Sequence, residues 1–126
     1  MPQPLQLPEY ISIFVRRLAA MGYETWLLGS RANNCAREDS DWDLLVFGDA
    51  DLLESLSKEP LMENADVLVV HDGNEFCSPW TDNKGRIKSG SLTQWKWERR
   101  FPTSAVYSGT KLPDDWGSPK NAVLLT

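Results

Sequence analysis

Gly29-Ser30 is followed by ten residues and then by Asp41-Trp42-Asp43 at the head of the apolar run Leu44-Leu45-Val46-Phe47. A third carboxylate, Asp66, opens a second apolar run, Val67-Leu68-Val69-Val70. Small residues let a backbone approach an anion, and clustered acids hold divalent cations. Phosphoryl transfer needs both. That chemistry asks little covalent work of a protein: the phosphates must be positioned and their charge neutralised, usually by magnesium on carboxylates.

On a β-strand, residues two apart point to the same face with Cα atoms about 7 Å apart. Asp41 and Asp43 so placed could share a pair of magnesium ions, which stand roughly 3.5–4 Å apart in two-metal sites. A neighbouring strand that brings Asp66 alongside adds the third acid. Such a cluster repels itself without cations, so metal binding is the natural way to stabilise it. Gly29 permits close approach of backbone to phosphate, and Ser30 offers a hydroxyl and an N–H. A helix starting there would favour the anion further. The chain holds a second Asp-x-Asp, Asp39-Ser40-Asp41. The downstream pair is preferred because it abuts the apolar run, whereas Asp39 falls in the turn before it.

The elements that must position these groups follow from periodicity. Pro8 opens a stretch predicted helical to Met21, with Ile11, Phe14, Val15 and Leu18 on one apolar stripe and Gly22 as the stop. Glu24 to Leu28 reads as a strand ending at Gly29, and Ser30 to Arg37 as a helical turn or short helix. Asp41 to Phe47 is a second strand, unbroken in its apolar run as a central strand covered on both faces would be. Asp49 can cap a helix to Lys58 with Leu52, Leu53 and Leu56 inward, and Ala65 to Val70 is the third strand. Helix and strand alternate, which predicts an α/β sheet with helices packed on it.

Beyond residue 71 the composition changes. Asp72-Gly73-Asn74 and Asp82-Asn83-Lys84-Gly85 are turn signals. Glu75 to Trp80 and Arg86 to Arg99 are expected to form a long β-hairpin, with Trp95 and Trp97 on one face of its second arm. From Pro102 the chain is expected to wrap over the sheet as loop with one edge strand. The whole is expected to be a single domain, 1–126, with the core over 8–71 and the hairpin and tail over 72–126.

Bulk properties narrow the function. Of 126 residues, 41% are hydrophobic and 25% charged, ordinary for a globular domain. A net charge of −5, from 18 acids and 13 bases, argues against broad non-specific nucleic-acid binding. Two local basic clusters remain, Lys84, Arg86 and Lys88, and Lys96, Arg99 and Arg100; each is either a groove or a solvated face. No apolar stretch reaches the roughly 18 residues of a membrane helix. The opening Met-Pro-Gln-Pro-Leu-Gln lacks the features of a secretory signal. Cys35 and Cys77 form no metal-like pair and read as free thiols, so a cytoplasmic location is expected.

Three segments resemble the signature elements of the minimal nucleotidyltransferases, small members of the DNA polymerase β-like superfamily. They are Gly29-Ser30-Arg31-Ala32, Asp39-Ser40-Asp41-Trp42-Asp43-Leu44-Leu45-Val46 and Ala65-Asp66-Val67-Leu68. The resemblance, over residues 8–71, implies an α/β (α+β) fold: a small mixed sheet flanked by helices. It also implies transfer of a nucleoside monophosphate from a nucleoside triphosphate, ATP first among them, to an acceptor hydroxyl, with pyrophosphate leaving. Gly29 and Ser30 would then grip the triphosphate. Asp41 and Asp43 would bind both Mg2+ ions, for which Mn2+ could substitute. Asp66 would complete the catalytic metal site and help to deprotonate the acceptor. The acceptor would be a protein, an RNA or a small molecule. The stretch Arg31-Ala32-Asn33-Asn34 departs from the frequent Arg-Ala-Arg-Gly by lacking a second glycine, which predicts a less open phosphate turn.

Other residues carry two readings. Trp95 and Trp97 can stack a base or sugar or anchor the core of a small domain. His71 can shuttle a proton or face solvent at a strand end, and Arg31 and Arg37 can touch phosphate or form surface ion pairs. Asp72 lies beyond the third strand and is a poorer third acid than Asp66. Two further functions compete with the enzyme. One is an antitoxin-like module that binds a toxin-like protein partner, because small proteins resembling this one are often half of such a pair. The other is a degenerate protein that binds nucleotide without turnover.

Overall fold

The computed structural model describes residues 7–32, 42–62, 64–81, 84–108 and 120–125. Helix α1 (Glu9–Ala20) starts after Pro8, whose φ of −56° suits a helix entry, and buries Ile11, Phe14, Val15 and Leu18 along one stripe. It stops where Gly22 takes φ +90°, and the N–H of Tyr23 returns to the Leu18 carbonyl. Strand β1 (Glu24–Leu28) runs into a single helical turn, α2 (Gly29–Ala32). Strand β2 (Trp42–Phe47) leads to α3 (Ala50–Ser57), capped by the Asp49 carboxylate, which accepts from the Leu52 N–H at 2.8 Å. Then comes β3 (Ala65–Val70). Apart from α2, whose expected continuation to Arg37 lies outside the described residues, these elements agree with the sequence pattern to within a residue or two. The positions between α2 and β2, Asp41 among them, lie outside the described residues.

The second half differs from the expected long hairpin. Strands β4 (Glu75–Cys77) and β5 (Ser89–Ser91) do form an antiparallel hairpin, but with three-residue arms. Ser91 ends the second arm by capping α4 (Leu92–Trp95), its hydroxyl accepting from the Gln94 N–H at 3.1 Å. Lys96 then takes a left-handed conformation, φ +54°, and turns the chain away. Trp95 and Trp97 therefore share no strand face. A second hairpin follows, β6 (Glu98–Phe101) and β7 (Ser104–Tyr107), and β8 (Lys120–Leu124) closes the chain.

Among the described residues, eight strands join one sheet in the order β5-β4-β3-β2-β1-β8-β7-β6. Among the described strands only β2 and β3 pair in parallel, joined through α3; the other described neighbouring pairs are antiparallel. The tail is not an edge: β8 sits between β1 and β7, and the exposed β6 forms the border. The reason is energetic. Ala122 and Ala105 are buried there, so the tail fills an interior position that the terminal apolar residues alone did not announce.

Each face of the sheet carries its own core. On one face Leu27, Leu44, Val46, Val67 and Val69 pack against α1 and α3. On the other, Trp26, Leu28, Leu45, Leu68, Val70, Phe76 and Tyr107 pack with Trp95 and Trp97. The tryptophans thus act as anchors: Trp97 meets Trp26 edge-on at 5.3 Å, and Trp95 stacks on Tyr107 at 5.2 Å. Coverage on both faces explains why β2 and β3 read as unbroken apolar runs rather than alternating ones. Among the described residues, no helix is long and apolar enough to cross a membrane.

Candidate active site

Parallel pairing of β2 with β3 sets Asp43 directly opposite Asp66. Register partners on adjacent strands point to the same face with strands about 4.8 Å apart. Both carboxylates therefore stand together on the aromatic face, at the end where β2 and β3 begin. The antiparallel β1 ends at that same edge, its Leu28 paired with Asp43. Gly29 follows immediately, and here glycine is required. Its φ is +68°, and a Cβ built on it would overlap the Asp43 carboxylate, whose carboxyl carbon would lie 3.2 Å away.

Other strand ends complete a cleft of about 400 Å³, within the range of roughly 300–1,000 Å³ typical of small-molecule sites. Its walls include Gly29, Asp43 and Asp66, together with Lys88, Trp95, Tyr107 and Lys120. Tyr107 and Lys120 are register partners of β7 and β8. The Tyr107 hydroxyl accepts a hydrogen bond from the Gly29 N–H at 2.9 Å. Burial pushes the Tyr107 phenol above its ordinary pKa, the nearby Asp43 charge adds to this, and the Gly29 amide opposes it. Lys88, just before β5, places Nζ 3.2 Å from Asp66 Oδ2.

Of the five residues expected at the site, Gly29, Asp43 and Asp66 come together. Asp41 lies outside the described residues, and of Ser30 only its backbone, within α2, is described. Among the described residues no group of three or more His, Cys, Asp or Glu converges. Asp72 is engaged elsewhere. Its carboxylate accepts from the N–H groups of Glu75 at 2.6 Å and Asn74 at 3.0 Å, which holds the β3–β4 turn and lowers its pKa. His71 is half-buried at the end of β3, away from the cleft lining. Asn33, Asn34, Cys35, Arg37 and Asp39 lie outside the described residues, as does the Asp82-Asn83 turn. Cys77 is a free thiol whose pKa burial pushes up.

Sequence reasoning gave no role at this site to Tyr107, Lys120 or Lys88. Tyr107 carried no motif, and Lys88 counted only as one of a basic cluster. The second basic cluster is a charged surface: Arg99 pairs with Glu24 and lies over the Trp26 ring, and Arg100 stands 3.7 Å from Glu98.

A glycine turn pressed against paired acids, at one end of a mixed sheet backed by helices, defines an α+β domain with an acid-lined cleft. The chain belongs to the nucleotidyltransferase domain family, which it matches over residues 7–99. Comparison with curated proteins and with solved structures gives no match. The match takes in α1, the acid-bearing strands and the β4–β5 hairpin, and ends before Tyr107 and Lys120. Membership makes nucleotidyl transfer the general chemistry of the domain and a nucleotide its substrate.

Proposed function

We propose that this protein is a metal-dependent nucleotidyltransferase that moves a nucleoside monophosphate from ATP to an acceptor hydroxyl. The observation that carries the reading is the register Asp43↔Asp66 with Gly29 lodged against Asp43. Two carboxylates side by side on one face need a cation. The Lys88 ammonium beside Asp66 indicates that the site accepts positive charge, so the residues fit a divalent ion. Asp43 and Asp66 would hold it, joined by Asp41 on the strength of its spacing in the sequence.

When bound, Mg2+ would supply charge neutralisation on the phosphates and a lowered pKa for a coordinated hydroxyl. The remaining work belongs to the chain. The Gly29 N–H stays on the Tyr107 hydroxyl, so the backbone N–H groups that follow it in the single turn α2 would meet the phosphate oxygens, at a point where Gly29 itself presents no side chain. Asp66 takes the proton of the acceptor hydroxyl. The acceptor oxygen then forms its bond to the α-phosphorus while the bond from that phosphorus to the bridging oxygen breaks, and pyrophosphate leaves with the electron pair. Tyr107 and Trp95 keep one wall of the cleft apolar, which strengthens these electrostatic interactions.

The test is pyrophosphate release from ATP with Mg2+, supplied with protein, RNA and small-molecule acceptor pools in turn. Release by the wild type that is lost in Asp43→Asn supports the proposal. Absence of both metal-dependent triphosphate binding and transfer to every pool would remove it.

A further inference from the structure

Lys88 reaches the acid site from a different part of the chain than any motif residue. Its backbone is fixed: the Ser78 N–H donates to the Lys88 carbonyl at 2.8 Å, and Ser89 pairs with Cys77, itself paired with Val69 of β3. Its side chain is open to solvent, the two partners of the ion pair being 54% and 47% exposed. Such pairs are weak and exchange readily. A lysine ammonium is a compact point charge on a flexible four-carbon stem, so torsional changes alone can carry it across a cleft.

We propose that Lys88 is an internal counter-cation: it occupies Asp66 while no metal is bound, yields the carboxylate to a divalent ion, and then pairs with the phosphate chain of the nucleoside triphosphate. The inference rests on the reading of the cleft as a metal-dependent nucleotide site. Charge balance supplies the logic. Asp43 and Asp66 stand in register and repel one another, and the Lys88 ammonium offsets part of that repulsion. A divalent ion brings twice the charge and takes its place. The displaced ammonium lines the same cleft, where a polyanionic phosphate chain is its natural partner. Lys88 is thereby a positioning residue that couples the order of binding, with metal and nucleotide favouring one another.

The experiment uses two titrations on wild type, Lys88→Met and Lys88→Arg. In the first, Mn2+ alone is followed by loss of the free-ion electron paramagnetic resonance signal. In the second, a non-hydrolysable ATP analogue is followed by calorimetry at saturating Mn2+. Lys88→Met is expected to bind Mn2+ about two- to fivefold more tightly, since a competing exposed ion pair is gone. It is expected to bind the analogue about tenfold more weakly, having lost a charge-assisted contact. Lys88→Arg, which keeps the charge, should restore most of both. Opposite shifts support the proposal; shifts in the same direction, or a change in only one titration or in neither, overturn it. If the wild type binds both ligands and Lys88→Met matches it, only this inference falls. If the wild type binds neither, the metal-dependent reading falls with it.

Discussion

The backbone N–H of Gly29 donates to the Tyr107 hydroxyl at 2.9 Å, tying the end of β1 to a strand 78 positions further along the chain. The contact joins the glycine turn beside Asp43 to the wall that closes the cleft. A phenol can accept this bond only from within the cleft, and Tyr107 is 5% exposed there. Gly29, Asp43 and Tyr107 therefore form one unit, in which the glycine gives the acid room and the tyrosine holds the glycine.

Replacing Tyr107 by Phe leaves the Gly29 N–H without this acceptor and should cost about 1–2 kcal/mol in urea unfolding. The pH dependence is diagnostic. The folded pKa of Tyr107 is raised above its ordinary 10.0, chiefly by burial. The neutral phenol is thus favoured in the folded state. Its contribution is complete below that ordinary value and is lost as the pH climbs through the raised one. Unfolding midpoints measured between about pH 8 and 11 should fall more steeply for wild type than for Tyr107→Phe.

Gly29→Ala combines two penalties. A left-handed conformation costs a non-glycine residue about 1–2 kcal/mol, and the added methyl displaces the Asp43 carboxylate. Destabilisation of that size is expected in denaturant titrations. Nucleotide affinity, read by calorimetry, should drop by about tenfold or more as the acid and the turn move apart.

Asp43→Asn and Asp66→Asn should each reduce magnesium-dependent transfer by about a hundredfold or more. Removal of the metal by chelation should do the same to wild type, and added Mg2+ should reverse it. Thermal melting of Asp43→Asn is expected to stay near wild type, because amide and carboxylate are nearly equal in shape. A Tm well below wild type would recast Asp43 as a structural residue.

Thr25 offers a stability test remote from the cleft. It is fully buried on the helix-covered face of β1, and its hydroxyl has no hydrogen-bond partner among the described residues. Valine has nearly the same shape and nothing to satisfy. Thr25→Val should add about 1 kcal/mol and raise Tm by roughly 3–6 °C, with transfer unchanged.

Much of the first half was legible in residue order. The stripe Ile11, Phe14, Val15, Leu18 can only be a helix face. Asp49 followed by Leu52 and Leu56 announced a capped helix, and the runs beginning at Leu44 and Val67 announced covered strands. These signals are local: side-chain period and capping act within a few residues, so a linear reading finds them. Gly29 at a strand end and the acids heading the apolar runs were likewise visible in short motifs, while the positive φ of Gly29 and its contact with Asp43 came from the pairing of β1 with β2.

What tertiary structure alone decided was which distant segments meet. The three-residue arms of the β4–β5 hairpin depend on Ser91 capping α4 and on Lys96 adopting φ +54°. The insertion of β8 between β1 and β7 depends on long-range pairing that no local period encodes. Tyr107 reached Gly29, and Lys88 reached Asp66, only because those pairings bring opposite ends of the chain to one edge of the sheet. Local pattern chose the elements and the acids. The closing of the cleft, with its tyrosine and its ammonium, came from burial of two cores on either face of a single sheet, a free energy that belongs to the whole chain and to no segment of it.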